Sequence, residues 1–179
     1  ADYKTRVNNQ SKDSDDKVIP FAGGTTFREK LNEQLLLLHL EKGQDLIANI
    51  LIGNLDEAGY LNRDLEAIVD DLAFSMNVHV EEQEVLEVLL KIQELDPAGV
   101  GARNLQECLL IQIERKQDGN IAKYTAKTIL ENHFEEFTKK HYEKIAKKLE
   151  IVSEDLKEAI NEILKLNPKP GGSSKGSNK

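Results

Sequence analysis

Tryptophan is absent, cysteine and methionine occur once each, and aromatic side chains make up only 5% of the 179 residues. Each shortage removes an option. The lone cysteine, Cys108, sits among leucines and isoleucines. It provides neither a disulfide framework nor a cysteine-based zinc site, and it suits a reducing compartment. Scarce aromatics leave Leu, Ile, Val and Ala to fill a core, which is the composition of a helical bundle. No apolar run approaches the ~20 residues that cross a bilayer. The richest run, LLLLHL at 35–40, is broken by His39. The N-terminus lacks a basic-then-apolar signal pattern. A cytoplasmic chain without a membrane partner is expected.

Catalytic and ligand-binding patterns are equally sparse. His39, His79, His133 and His141 have no i, i+4 pairing, so no metal site is expected. The acidic clusters read as solvated helix faces, Ser75 and Ser153 lack a nucleophile-elbow context, and Cys108 reads as core. The stretch GVGARN, Gly99 to Asn104, imitates the start of a dinucleotide fingerprint, but Asn104 replaces its third glycine and a helical pattern precedes it. Neither an enzyme nor a cofactor or small-molecule substrate is expected.

What is abundant is charge, at 31% of residues with a net value of −8. From Lys139 to the end there are ten lysines against six carboxylates, so the first 138 residues carry about −12. Such a surface is repelled by nucleic acid and attracted by basic protein surfaces.

Every apolar pattern in the middle of the chain has a helical period. Thr26 and Glu29 have capping-box spacing ahead of Phe27, Leu31, Leu35 and Leu38. A second helix carries Leu46, Ile47, Ile50 and Leu51 and stops at NLDEAGYL, where Gly59 supplies a left-handed residue. Asn62 is placed to cap a third, with Leu65, Ile68, Val69 and Leu72, and a fourth bears Val85, Leu89 and Ile92 before Pro97 ends it. In the fifth, Asn104 and Glu107 have capping-box spacing, with Leu105, Cys108, Leu109 and Gln112 facing inward. Further helical patterns follow in IAKYTAKTILENHFEEF, YEKIAKKL and a Ser153-capped SEDLKEAINEILKL with Leu156, Ile160, Ile163 and Leu164 as its apolar positions. No strand is expected.

A weak repeat relates LEAIVDDL…VLLKIQELDPAG to YEKIAKKL…INEILKLNPKPG: short helix, turn, longer helix, Pro/Gly stop, with Pro97 matching Pro168. This is the outline of a helix-turn-helix and equally of any small α-hairpin. The expected organisation is an acidic linker over 1–25, with an apolar patch at Val18, Ile19 and Phe21. Helical subdomains follow over 26–98 and 99–170, the second helix-turn-helix-like, and then a Gly/Ser/Lys tail over 171–179. The fold class is all-α.

Leu95 to Ile113, LDPAGVGARNLQECLLIQI, joins the two expected subdomains through a Pro/Gly corner. Gly99 and Gly101 permit the turn, and Arg103 is placed to reach Asp96 or the last carbonyls of the fourth helix, locking the angle, or else to contact a partner directly. On the locking reading, Arg103→Ala loosens the two halves.

This stretch resembles the core-polymerase-binding region of the sigma-54 family of bacterial transcription initiation factors. Asp96, Pro97, Gly99, Val100, Arg103, Asn104, Leu105, Glu107, Cys108, Leu109 and Gln112 meet the family's pattern. Asn54 to Leu61 resembles its aspartate-glycine-tyrosine-leucine turn, and Leu156 to Gly171 the helix and Pro/Gly stop that close the region. The resemblance covers about Thr26 to Gly172. It implies docking on core RNA polymerase, the first subdomain near the flap of the β subunit. Activator response and promoter recognition would reside in modules not matched here. Asp96, Pro97, Gly99, Val100, Gly101, Arg103, Asn104, Glu107 and Gln112 are the expected junction or partner-binding residues. The alternatives are a helix-turn-helix module reading DNA directly and a generic helical adaptor holding peptides in a groove.

Overall fold

The computed structural model describes residues 22–172, and all nine of its α-helices follow the apolar periodicity of the sequence. They are α1 (Ala22–Leu35), α2 (Gln44–Gly53), α3 (Leu65–Met76), α4 (Glu82–Ile92), α5 (Leu105–Arg115), α6 (Ile121–Asn132), α7 (Phe134–Thr138), α8 (Tyr142–Leu149) and α9 (Ser153–Leu164). A 3-10 turn, Pro170–Gly172, closes the described chain. Among the described residues the one extended pairing is an isolated bridge between Leu55 and Leu61. The fold is all-α.

Two buried apolar clusters form. The first takes Leu31 and Leu35 from α1, Ile47, Ala48, Leu51 and Ile52 from α2, Ile68 and Leu72 from α3, and Val85, Val88, Leu89 and Ile92 from α4. Val100 of the following corner also belongs to it. The second joins Leu109 and Ile113 of α5 with Ala126, Ile129 and Leu130 of α6, Ile145 of α8, and Leu156, Ala159, Ile160 and Ile163 of α9. Phe134, Phe137 and Tyr142 cover one side of it, with ring centroids 6.2 and 6.5 Å apart.

Several local expectations shift. Helix α1 begins at Ala22, so Thr26 lies within it rather than capping it, and 22–25 are helix rather than linker. Residues 1–21, with the Val18, Ile19 and Phe21 patch, and 173–179 of the tail lie outside the described residues. Gly171 and Gly172 belong to the closing turn, not to a tail. Asp64, not Asn62, is the N-cap of α3, because Asn62 Nδ2 is held by Asp56 Oδ2 at 2.6 Å. Val152 caps α9, which makes Ser153 its first helical residue. Helix α2 ends at Gly53 on Asn54, five residues before Gly59. Helix α4 ends at Ile92, four residues short of Asp96.

The two clusters are built on one plan. A shift of 78 residues carries Leu31, Gln34 and Leu35 of α1 onto Leu109, Gln112 and Ile113 of α5, and Ala48, Leu51 and Ile52 of α2 onto Ala126, Ile129 and Leu130 of α6. The later helices continue the match with Ile68 on Ile145, then Val85, Val88, Leu89, Ile92 and Leu95 on Leu156, Ala159, Ile160, Ile163 and Leu166. Every apolar member of these pairs is buried. Helices α3 and α8 both end on a left-handed residue, Asn77 (φ 56°) and Glu150 (φ 58°), which reverses the chain into the next helix. The expected short-then-longer order holds for α8 and α9, with 8 and 12 residues, but not for α3 and α4, with 12 and 11. The repeat legible in the second half of each unit therefore extends back through α1 and α5.

Candidate functional site

The corner after α4 is folded by its own backbone. Val100 N–H donates to Pro97 O at 3.2 Å and Ala102 N–H to Gly99 O at 3.3 Å. Gly99 (φ +98°) and Gly101 (φ +82°) take left-handed conformations that a side chain disfavours. Val100 and Ala102, each following one of these glycines, are fully buried. Gln93 Nε2, itself buried, donates to Gly101 O at 3.1 Å.

A second loop completes the junction. Asp56 Oδ1 accepts from Ala58 N–H and Tyr60 N–H, both at 2.9 Å, and so shapes the turn through Gly59 (φ +97°). The turn then grips two segments. Gly101 N–H donates to Gly59 O and Leu61 N–H to Ala102 O, each at 2.9 Å, which ties it to the corner. Gly171 N–H donates to Ala58 O at 2.8 Å and the Tyr60 hydroxyl to Pro168 O at 2.6 Å, which ties it to the end of the second unit. Burial and the Cys108 side chain beside it push the Tyr60 phenol well above its ordinary range, so it stays a neutral donor. Burial likewise raises the Cys108 thiol.

Two glutamines read backbone in the same way. Gln34 Nε2 donates to Asp96 O and Asp96 N–H to Gln34 Oε1, both at 2.7 Å. Gln112 Nε2 donates to Asn167 O at 2.6 Å and Asn167 N–H to Gln112 Oε1 at 2.7 Å. Asp96 and Asn167 are equivalent positions of the repeat, each directly before a proline. Each glutamine thus occupies the two polar groups that a chain leaving a helix would otherwise leave open.

The arginine expected to span the corner is not the one that does. Arg103 turns onto its own helix, with Nε to Glu107 Oε1 at 3.0 Å, Nη2 to Oε2 at 2.8 Å, and its backbone N–H to Oε1 at 2.8 Å. Arg115, one helix length further on, makes the bonds expected of Arg103: Nη1 to Asp96 Oδ1 at 2.9 Å, and Nη2 to Gln93 O and Leu95 O at 2.8 Å each. The carbonyls at the end of α4 face the C-terminal end of α5, where Arg115 stands. Glu107 is occupied by Arg103, so the capping box is half formed: Asn104 Oδ1 accepts from Glu107 N–H at 2.8 Å, without the reciprocal bond. Leu105, expected inward, is 37% exposed, whereas Cys108, Leu109 and Gln112 are buried.

Of the nine expected residues, then, Pro97, Gly99, Val100 and Gly101 form the corner, Asp96 bonds across it to Arg115, and Gln112 joins α5 to the end of its own unit at Asn167. Arg103, Asn104 and Glu107 instead form the N-terminal clamp of α5. Sequence reasoning missed Gln34, Asp56, Tyr60, Gln93, Arg115 and Asn167. The repeat itself is the signal that could have found the Gln34 and Gln112 pair.

The clamp carries its own expectation. Burial works to raise the Glu107 pKa, but the Arg103 hydrogen bonds outweigh it and leave the carboxyl below its ordinary range. A depressed carboxyl stabilises the fold above its unfolded pKa and loses that contribution as pH falls through the folded one. Because Arg103 is 41% exposed, Arg103→Ala should cost less than about 1 kcal/mol at pH 7. The cost should vanish on acidification below the carboxylate range, as read from urea midpoints against pH. A large, pH-independent loss would restore Arg103 as the brace between the units.

With this geometry in place, the chain can be set beside known proteins. The model of the sigma-54 factor core binding domain family matches residues 20–179. An RNA polymerase sigma-54 factor of Acinetobacter guillouiae is 36% identical over 151 residues, covering 82% of this chain and 31% of the relative. Those of Bacillus subtilis (34% over 146 residues) and Shewanella violacea (31% over 171 residues) are similar to 82% and 94% of the chain. The chain spans about a third of the length of these relatives. A match across both helical units and the corner between them places the chain in the sigma-54 factor core-binding-domain family.

Proposed function

We propose that the chain is a polymerase-docking module: it binds core RNA polymerase within a sigma-54 type factor during transcription initiation, without catalysis. The observation that carries this reading is the family match, which begins two residues before α1 and runs through the closing turn. Two helical subdomains, 26–98 and 99–170, act as one body because the 56–61 turn, the corner and the end of the second unit are bonded to one another. Asp96, Pro97, Gly99, Val100 and Gly101 together with Arg115 set that pose, while Arg103, Asn104, Glu107 and Gln112 hold α5 and the end of the second unit. Charge supports a protein partner: residues 27–98 carry sixteen carboxylates against five Lys/Arg, suited to a basic surface such as one near the β flap.

Direct DNA reading by α8 and α9 is the weaker account. The second helix of that pair carries Glu154, Asp155, Glu158 and Glu162 against Lys157, with Lys165 capping its end, a poor match to a phosphate backbone.

The test is a titration of the labelled chain with purified bacterial core RNA polymerase at ~150 mM salt, where surface charges beyond ~8 Å are screened. Saturable binding displaced by a full-length sigma-54 factor is expected. Absence of binding at micromolar enzyme would overturn the reading.

A further inference from the structure

Helices α8 and α9 leave a groove of about 490 Å³ between them, remote from the corner in sequence and unused by the junction. Its apolar surface comes from Tyr142 and Ala146 on α8 and Leu156 and Ile160 on α9, pairs spaced four residues apart on the two helices. Leu156 and Ile160 are 6% and 7% exposed, so they form a floor rather than a rim. Lys147 and Lys157 border it, both exposed, and neither makes an ion pair among the described residues. Neighbouring lysines are already used, Lys148 by Glu136 at 2.7 Å and Lys139 by Glu135 at 3.1 Å. Glu143 is the one carboxylate in the lining.

The repeat shows what is particular to this half. The residues of α3 and α4 equivalent to Lys147, Lys157 and Asn161 are Asp70, Leu86 and Leu90. The cationic border therefore belongs to the second unit and is not imposed by the shared hairpin.

We infer that this groove docks an acidic amphipathic helix of a partner protein, its apolar side on Ala146, Leu156 and Ile160 and its carboxylates on Lys147 and Lys157. An apolar trough between two helices takes a third by the usual i, i+3/i+4 anchors. Cations at its border that make no ion pair among the described residues select the sign of the incoming charge and discriminate against basic helices of equal hydrophobicity. The inference does not rest on polymerase binding, and its test contains no polymerase.

The probe is a fluorescein-labelled helical peptide built on Leu and Glu, with a Leu and Lys counterpart as control, titrated into the 179-residue chain. Saturable binding of the acidic peptide alone is expected, weakened roughly tenfold by Lys147→Glu combined with Lys157→Glu, since each reversal turns an attraction into a repulsion. Both lysines are exposed, so the helical circular dichroism should not change. Ala146→Gln, which obstructs the groove without altering charge, should weaken the same peptide. Equal binding of the two peptides, or indifference to these substitutions, would overturn the inference. So would tighter peptide binding after Asp13, Asp15 and Asp16 are changed to Asn, which would make the chain's own acidic segment the occupant. Dissociation of a dimer by the lysine reversals in sedimentation velocity would equally assign the groove to a second copy.

Discussion

Gly99→Ala should destabilise the chain by about 3 kcal/mol, the sum of a left-handed backbone penalty of ~1 kcal/mol and an overpacking cost of ~2 kcal/mol. At this chain length the loss corresponds to a Tm about 6–12 °C lower. The second contribution follows from position. A Cβ on Gly99 would stand 2.8 Å from Cys108 Sγ and 2.9 Å from Gln112 Nε2. Neither neighbour is free to yield: Cys108 is fully buried, and Gln112 is committed to Asn167 through both ends of its amide. The alanine thus strains the corner and displaces the contact between α5 and the end of the second unit. Gly119→Ala separates the two costs, because Gly119 has a similar φ of +90° with nothing within 4 Å of the added methyl. It should lose only the backbone penalty of ~1 kcal/mol. Urea unfolding of both variants decides the matter, and equal losses would mean that the corner is not tightly packed.

The apolar spacing made the helices and both cores legible, because burial of one face leaves a period that survives in a single sequence. It erred where a helix ended early or a face met solvent. Leu38 follows the end of α1, and Leu164 is 66% exposed on the last turn of α9. Caps were harder, since an Asn or Ser near a helix start has other acceptors and donors within reach, as Asn62 does in Asp56. The corner was visible through Pro97, Gly99 and Gly101, whose backbone requirements are residue-specific. The bonds that cross it were not, because most of their acceptors are peptide carbonyls, which every residue has. Proximity along the chain favoured Arg103 as the partner of Asp96, at seven residues. The three-dimensional path favoured Arg115, at nineteen, because α5 runs back alongside the end of α4.

The same anonymity makes the paired glutamines a sharp test of what closes each unit, since each joins the first helix of a unit to that unit's end. Gln112→Leu keeps the volume of a 6% exposed side chain but removes the partner of Asn167 N–H and the amide donor to Asn167 O, which keeps only the Cys108 thiol at 3.7 Å. One partly buried N–H left without a partner and one carbonyl left with a weak thiol donor should cost about 2–4 kcal/mol together. Gln34→Leu deletes the equivalent pairing at Asp96, yet it should cost under ~1 kcal/mol, because water can replace a partner at an exposed group. Hydrogen exchange adds what stability alone does not. In Gln112→Leu the Asn167 amide should exchange far faster, and the Gly171 amide with it, since the first bond holds the end of the second unit to α5 and the second holds the same segment to the first unit. Amides of Leu51 and Ile129, deep in the separate cores, should keep their protection relative to global unfolding. If those core amides open together with Asn167, the two units unfold as one cooperative body, and the glutamine stabilises the whole fold rather than the end of the second unit.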